Sequence, residues 1–169
     1  LLFSPLLHRM KKLKMRNEIG GCALGIREID PHIDVLEALG ATVKRGEVIE
    51  FSIEERFRGG EIWPDYMSVT STENFINAAV IAKGTSKMIN AASEPHVQEL
   101  CNFLVEMGAK INGIGTSTLT IEGVSELHGT EFTIGSDHHE ITTFLALGAM
   151  TGGEVRVTNA IPHHFPLIV

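Results

Sequence analysis

The sequence predicts an α/β fold, of the α+β kind, built from repeated βαβαββ units with the helices inside and the sheets outside. An acid-Pro-His start occurs at Asp30 and again 64 residues later at Glu94, and each start leads to a Gly-Ala pair, Gly40-Ala41 and Gly108-Ala109. Two further predicted helices carry apolar or small residues on most faces, which is typical of buried helices. The predicted strands alternate polar and apolar residues, so one face of each sheet meets water.

The elements of the repeated unit can be assigned in order. Asp30 and Glu94 are predicted N-caps before a first-turn proline, and Gly40 and Gly108 are predicted left-handed caps that end these helices. Each helix is followed by a predicted hairpin, a further strand and a second helix. These elements cover residues 42–43 with 48–53, 61–63 and 72–83 in the first copy, and 110–111 with 119–121, 131–134 and 139–150 in the second.

A third, partial copy is indicated near the carboxyl end. Asn90-Ala91 precedes the second acid-Pro-His start, and Asn159-Ala160 likewise precedes Pro162-His163. The predicted repeat units are residues 1–66, 67–135 and a truncated 136–169. The chain has no initiator Met, and it begins and stops inside apolar segments, so we expect a partial domain cut from a longer protein.

Composition and charge exclude several classes of protein. With 43% apolar and 21% charged residues, the chain has the composition of a soluble globular domain. Its formal net charge of −7 repels nucleic acid, and no apolar run approaches the ~20 residues that would span a bilayer. Two cysteines without a disulfide framework indicate a reduced protein. We therefore expect a cytoplasmic protein that binds neither nucleic acid nor membranes.

The basic residues cluster in one segment near the amino end. The cluster consists of Arg9, Lys11, Lys12, Lys14 and Arg16. Apolar residues interleaved with it fall at helical spacing, which predicts a helix through this segment. A solvated helix face explains the cluster better than a binding patch.

The candidate reactive side chains lie in residues 20–32, whose sequence is Gly-Gly-Cys-Ala-Leu-Gly-Ile-Arg-Glu-Ile-Asp-Pro-His. Three glycines around Cys22 predict a loop with little side-chain cover, so the thiol should be accessible. Arg27 precedes a predicted helix N-terminus, where backbone N–H groups and a guanidinium can together hold an anion. Such positive potential favours the reactive thiolate. The residues alone leave two interpretations open, a reactive cysteine or a small side chain that fills space in a turn.

This segment resembles the Gly-Gly-Cys-x-x-Gly-x-Arg-Pro-x-Asp-x-His signature of the UDP-N-acetylglucosamine enolpyruvyl transferases, also called UDP-N-acetylglucosamine 1-carboxyvinyltransferases. The similarity continues in one register through nearly the whole chain, for example at Ser68-Val69, residues 90–95 and Thr142-Thr143-Phe144. Residues 1–10 resemble the helix that precedes the cysteine loop in that family. The resemblance implies an inside-out α/β barrel, present here as an incomplete domain.

The resemblance also implies a reaction, in which the enolpyruvyl group of phosphoenolpyruvate is transferred to the 3′-hydroxyl of UDP-N-acetylglucosamine. This transferase reaction starts peptidoglycan synthesis, and the family needs no metal or organic cofactor. Cys22 matches the cysteine that donates a proton and is alkylated by fosfomycin, and Arg27 matches an arginine that contacts substrate anions. The matched substrate-binding positions are Arg27, Glu28, Ile29, Asp30 and Pro31 with Tyr66, Met67, Ser68 and Val69 around the uridine diphosphate, and His32 and Glu94 near the cleft.

Several positions depart from the family pattern. Glu28 stands where the family has proline, which adds negative charge near the expected diphosphate. Tyr66 replaces a lysine and Thr70 a glycine, which removes a phosphate-facing charge and adds a side chain. Residues 137–139, Asp-His-His, replace Asp-Arg-Ile. These differences bear on the substrate more than on the superfamily.

Family members have two similar domains with the active site in the cleft between them. The catalytic aspartate, an amino-terminal lysine and a further phosphate-binding arginine belong to segments absent from these 169 residues. We therefore expect the second domain of the same chain to be the main partner of this part. We also expect no transferase activity from these residues alone.

Two alternative functions stay open. Enolpyruvyl shikimate phosphate synthases share the architecture but are not expected to carry the Gly-Gly-Cys loop. A divergent, non-catalytic relative that binds a nucleotide sugar would account for Glu28, Tyr66 and Thr70.

The remaining candidate ligands are interpreted as structural. His138-His139 and His163-His164 could suggest a metal site, but adjacent histidines point in different directions on a regular element and no zinc-finger spacing is present. We interpret them as helix-start or surface residues and expect no metal. Cys101 lies in an apolar stripe with Val97 and Leu104 and is predicted to belong to the core.

Overall fold

A computed structural model describes residues 1–16 and 28–165 of the chain. The chain divides into two compact units, Leu1–Thr130 and Glu131–Val169. We refer to them as unit 1 and unit 2. No helix in the described ranges is long and apolar enough to cross a membrane.

Within the described residues, unit 1 contains four helices and seven strands. The helices are α1 Phe3–Met10, α2 Asp30–Ala38, α3 Val69–Ala79 and α4 Pro95–Glu106. The strands are β1 Lys12–Arg16, β2 Thr42–Lys44, β3 Val48–Ser52, β4 Glu61–Ile62, β5 Thr85–Ile89, β6 Lys110–Asn112 and β7 Thr118–Glu122. Unit 2 contains α5 His138–Thr151 and a short 3₁₀ helix, Pro162–His164.

The strands form two sheets, and both predicted hairpins are confirmed. In the first sheet, of order β1-β3-β2, all pairs are antiparallel and Ser52 aligns with both Lys12 and Thr42. In the second, of order β4-β5-β7-β6, β4 runs parallel to β5 and the other pairs are antiparallel. The strand predicted at residues 61–63 is confirmed as β4.

Each acid-Pro-His helix is followed by its hairpin, as the repeat predicts. Gly40 and Gly108 have φ of +87° and +100°, so both are the predicted left-handed caps. Asn90 and Asn159, which occupy equivalent positions in the sequence repeat, also share a backbone conformation, because their φ angles are +65° and +62°. A left-handed backbone at both asparagines turns the chain before the next helical segment.

The helix predicted through the basic cluster is wrong. Helix α1 ends at Met10, Lys11 adopts a left-handed conformation with φ of +64°, and β1 follows. Residues 12–16 alternate polar and apolar, so in β1 Lys14 is exposed while Leu13 and Met15 pack against the core. Pairing with β3 selects the two-residue alternation of a strand over the spacing of a helix. The basic side chains are still on a solvated face, now of a strand.

Three other predictions about element boundaries need correction. Asp30 is not an N-cap, because Ile29 holds that position and the Asp30 carboxylate is bound by Arg45 instead. Helix α3 begins at Val69 rather than residue 72, since the Ser68 hydroxyl accepts a hydrogen bond from the Ser71 N–H at 3.3 Å. No strand forms over residues 131–134.

The prediction that both second helices are buried on most faces holds for α3 only. Helix α3 buries seven residues and lies in the core of unit 1, among Phe51, Phe57 and Ile121. Helix α5 buries only Ile141 and Gly148, while Met150 is 87% exposed. Its apolar side chains are uncovered because the described part of unit 2 offers only a 3₁₀ turn besides α5.

Glycines allow backbone segments of unit 1 to meet directly. Gly59 donates to the Lys83 carbonyl at 2.8 Å, and Gly123 donates to the Gly84 carbonyl at 2.9 Å. A Cβ on Gly123 would lie 1.9 Å from the Ala82 carbonyl oxygen, so no side chain fits. The Arg56 guanidinium reinforces this region by donating to the Ile81 carbonyl at 2.9 and 2.7 Å and to the Val124 carbonyl.

We predict that Gly123→Ala lowers the free energy of unfolding by about 1–3 kcal/mol, because the backbone of residue 82 must move away from the new methyl group. Gly129→Ala is the matched control, since a Cβ at Gly129 meets no atom within 4 Å. Urea denaturation of both variants measures the difference. Equal midpoints for the two variants would show that the close contact does not constrain the fold.

Candidate functional site

A cleft of about 190 Å³ lies beside α2 and the end of β4, and residues from both predicted uridine segments line it. Glu28, Asp30 and Pro31 come from the first segment and Tyr66 from the second. Segments 35 residues apart in sequence thus meet at one surface. Cys22 and Arg27 lie outside the described residues, so the structure gives no position for either.

The other described residues of the two predicted uridine segments, 29 and 67–69, do not line the cleft. Ile29 is the N-cap of α2, and its carbonyl accepts from the His32 N–H at 3.0 Å. Ser68 is the N-cap of α3, Val69 packs partly against the core, and Met67 is 48% exposed. The second segment is therefore the entry to a helix, with backbone N–H groups at its start.

His32 and Thr70 connect the two segments. The His32 Nε2 lies 3.3 Å from the Thr70 hydroxyl oxygen, and the His32 Nδ1 is buried without a hydrogen-bond partner among the described residues. Burial lowers the pKa of His32 below its ordinary value of 6.5. The imidazole is therefore neutral at pH 7. It can donate and accept hydrogen bonds but supplies no positive charge.

Glu94 lies at a separate polar position, the N-cap of α4. One of its carboxylate oxygens, Oε2, is buried and finds no hydrogen-bond partner in the described ranges. Nearby, burial raises the pKa of Glu73, against the opposing effect of His96. Thr72 joins this position to α3, because its hydroxyl accepts from the Ala92 N–H at 3.0 Å. Glu94 does not line the cleft of Tyr66.

Five residues that line the cleft were not predicted from the sequence. They are Asp34, Ile62, Trp63, Pro64 and Asp65. Trp63 is the only tryptophan of the chain and is 71% exposed. The signal that the sequence offers is a lone tryptophan directly before a proline. Its exposure, unusual because large aromatic side chains are mostly buried, is seen only in the structure.

The cleft is acidic. Glu28, Asp30, Asp34 and Asp65 line it, and none of its described lining residues is basic. Arg45 binds the Asp30 carboxylate from outside the lining and offsets part of this charge. Glu28, which would weaken diphosphate binding if its side chain faced the ligand, is one of the residues that line the cleft.

The histidine pairs belong to unit 2, and Cys101 belongs to unit 1. The rings of His138 and His139 are 4.1 Å apart, and those of His163 and His164 are 4.6 Å apart, so the expectation that adjacent histidines diverge is wrong. Their placement at a helix start is confirmed, since the Asp137 carboxylate accepts from the His139 N–H at 2.8 Å and caps α5. Backbone hydrogen bonds from Glu140 and His139 lower the pKa of Asp137. Cys101 is 1% exposed and belongs to the core, as predicted.

Comparison with known proteins defines the class. The fold is similar to the crystal structure of the enolpyruvyl transferase NikO from Streptomyces tendae, with a TM-score of 0.72 and 20% identity over 87% of this chain and 35% of that one. The family model of EPSP synthase (3-phosphoshikimate 1-carboxyvinyltransferase) matches residues 4–168. The chain therefore has a mixed α/β fold of the enolpyruvyl transferase type, and it belongs to the EPSP synthase family.

The curated relatives narrow the similarity within that family. UDP-N-acetylglucosamine 1-carboxyvinyltransferase 1 of Symbiobacterium thermophilum is 48% identical over 96% of this chain, and the enzyme of the same name from Halalkalibacterium halodurans is 45% identical over 99%. The chain spans 37% and 38% of the lengths of these two relatives. The sequence resemblance to this group is thereby confirmed.

We predict that His32 makes stability depend on pH. Because its pKa is lower in the folded chain, the unfolded chain binds the proton first as pH falls below 6.5. The free energy of unfolding therefore decreases from pH 6.5 down to the folded pKa, and the contribution of His32 is constant above pH 6.5. His32→Asn should reduce this slope, while His8, whose pKa is also lowered by burial, preserves part of it.

Denaturation on both sides of pH 6.5 measures the slope, and a proton NMR titration measures the pKa of His32 directly. The resonance is assigned by its absence from the His32→Asn spectrum. A titration midpoint at or above 6.5 would contradict the prediction.

Proposed function

We propose that the whole protein transfers the enolpyruvyl group of phosphoenolpyruvate to the 3′-hydroxyl of UDP-N-acetylglucosamine. The observation that supports this proposal best is the convergence of Glu28, Asp30, Pro31 and Tyr66 on one cleft. The reaction itself is taken from the names of two relatives that are 48% and 45% identical to this chain. The protein would act in the cytoplasm at the first committed step of peptidoglycan precursor synthesis, and hence in cell-wall biogenesis.

The proposed chemistry has two steps. The sugar hydroxyl gives up its proton to a base and its oxygen bonds to C2 of phosphoenolpyruvate, while an acid adds a proton to C3, which gives a tetrahedral intermediate. The C2–O bond to phosphate then breaks, a proton leaves the new methyl group, and the enol ether forms with release of phosphate. The reaction needs an acid near carbon and cations near the carboxylate and phosphate. No metal or organic cofactor is required.

We assign the acid to Cys22 and an anion contact to Arg27. A thiol gives up its proton more readily near positive charge, so a guanidinium close in sequence suits this role. Residues 27–31 and 66–69 would hold the uridine diphosphate, with His32 and Glu94 at neighbouring polar positions. Each of these assignments rests on the matched family positions in the sequence.

The wider architecture is also part of the proposal. The repeat units 1–66, 67–135 and 136–169 would form part of an inside-out α/β barrel, and the second domain of the same protein would close the active site. The chain spans 37% of the length of its Symbiobacterium thermophilum relative, which leaves room for that domain. Residues 1–169 alone would then release no phosphate from the two substrates.

We predict that fosfomycin adds once to the full-length protein, on Cys22. Cys101 is an internal control, because burial leaves it 1% exposed and raises its pKa to about 11, so little thiolate forms there. Mass spectrometry of the digested protein should find one reagent mass on the Cys22 peptide and none on the Cys101 peptide. Cys22→Ser should abolish the adduct.

Phosphate release from phosphoenolpyruvate and UDP-N-acetylglucosamine is measured on the same protein. An unmodified Cys22 together with no phosphate release would refute the proposed reaction. If UDP-N-acetylglucosamine still bound under those conditions, the protein would instead be a non-catalytic nucleotide-sugar-binding relative. Glu28, Tyr66 and Thr70, which depart from the family pattern, are the residues that motivate this second candidate. Phosphate release with shikimate 3-phosphate as acceptor would identify the synthase-like alternative.

A further inference from the structure

We infer that Trp63 binds the pyrimidine base of the nucleotide by stacking, and that the acidic residues beside it bind the ribose. This inference rests on the proposed function and specifies which part of the substrate the cleft holds. It concerns a residue that the sequence placed only in a strand.

The exposure of Trp63 is the first observation. Its side chain is 71% exposed although the cleft that it lines also contains Ile62, Pro64 and Tyr66. An exposed indole beside a second exposed aromatic ring presents flat apolar surface to a ligand. Aromatic side chains that stack on nucleobases have this arrangement, since every base offers a π-face.

The backbone on both sides of Trp63 is restrained. Pro64 restricts the preceding residue to extended conformations, and the Asn90 side-chain amide donates to the Pro64 carbonyl at 3.1 Å. Just upstream, the Gly60 carbonyl accepts from the Lys87 N–H at 2.8 Å, which joins β4 to β5. A preorganised surface binds a ligand with a smaller loss of conformational entropy.

The size of the cleft selects part of the substrate. At about 190 Å³ it is smaller than the roughly 300–1,000 Å³ typical of sites that enclose a drug-sized ligand. One ring and its attached sugar suit this volume better than a complete nucleotide sugar. The rest of the substrate would then lie outside the cleft.

The negative charge of the cleft indicates which part of the substrate it holds. An ionised carboxylate only accepts hydrogen bonds, so Glu28, Asp34 and Asp65 suit ribose hydroxyl donors. Phosphate next to the same groups is repelled, by about 1 kcal/mol per pair of charges 4 Å apart in water and by more near a protein surface. The nucleoside end therefore fits the cleft, and the diphosphate points away from it.

The test is steady-state kinetics of the full-length protein carrying Trp63→Ala. We expect the KM for UDP-N-acetylglucosamine to rise about tenfold, with kcat and the KM for phosphoenolpyruvate unchanged, because stacking is equal in the ground and transition states. Trp63→Phe should restore most of the affinity. Val105→Ala, which trims an exposed apolar residue on α4, is the control and should change none of these values.

Two competitive inhibitors separate base stacking from other roles of Trp63. Inhibition by UDP should weaken about tenfold in Trp63→Ala, and inhibition by N-acetylglucosamine 1-phosphate, which lacks the base, should not change. An equal change for both inhibitors, no change for either, or a lowered unfolding midpoint with unaltered affinity would overturn the inference. If the unsubstituted protein neither turns over nor binds UDP, the proposed function itself fails.

Discussion

Direct backbone contact around residues 82–85 is the constraint on which the rest of unit 1 depends. Gly59 and Gly123 approach this segment from two different parts of the chain, and each donates a hydrogen bond to it. A Cβ at either glycine would lie 2.3 or 1.9 Å from a carbonyl oxygen, so the contact requires glycine at both positions. Since β4 begins directly after Gly60, the same contact also fixes β4, and Trp63 at the cleft follows that strand directly.

Much of this fold is predictable because its signals are local. A left-handed cap requires φ > 0, so Gly40 and Gly108 mark the ends of α2 and α4 without knowledge of the remaining chain. Both hairpins follow from alternation around turn residues. The meeting of the two uridine segments could be expected only through the family resemblance, because no local rule brings residue 28 near residue 66.

The errors occur where tertiary pairing decides. In residues 10–16 the apolar positions suit a helix and a strand almost equally, and only β3, more than 30 residues later, selects the strand. Asp30 was assigned a capping role that its ion pair with Arg45 replaces. Trp63 was missed as a site residue because the sequence shows its type but not its exposure, which depends on how β4 meets α2.

The acidic cleft constrains where the anionic parts of the proposed substrate could bind. A nucleotide sugar with a diphosphate needs cations, and the described lining residues of the cleft supply none. His32 cannot replace them at neutral pH, because burial lowers its pKa and leaves the imidazole uncharged. Tyr66 offers an uncharged hydroxyl. Positive charge must therefore come from residues other than the described lining, and Arg27, next to Glu28 in sequence, is the nearest candidate along the chain. Binding would then divide the substrate between an acidic nucleoside site and a basic phosphate site.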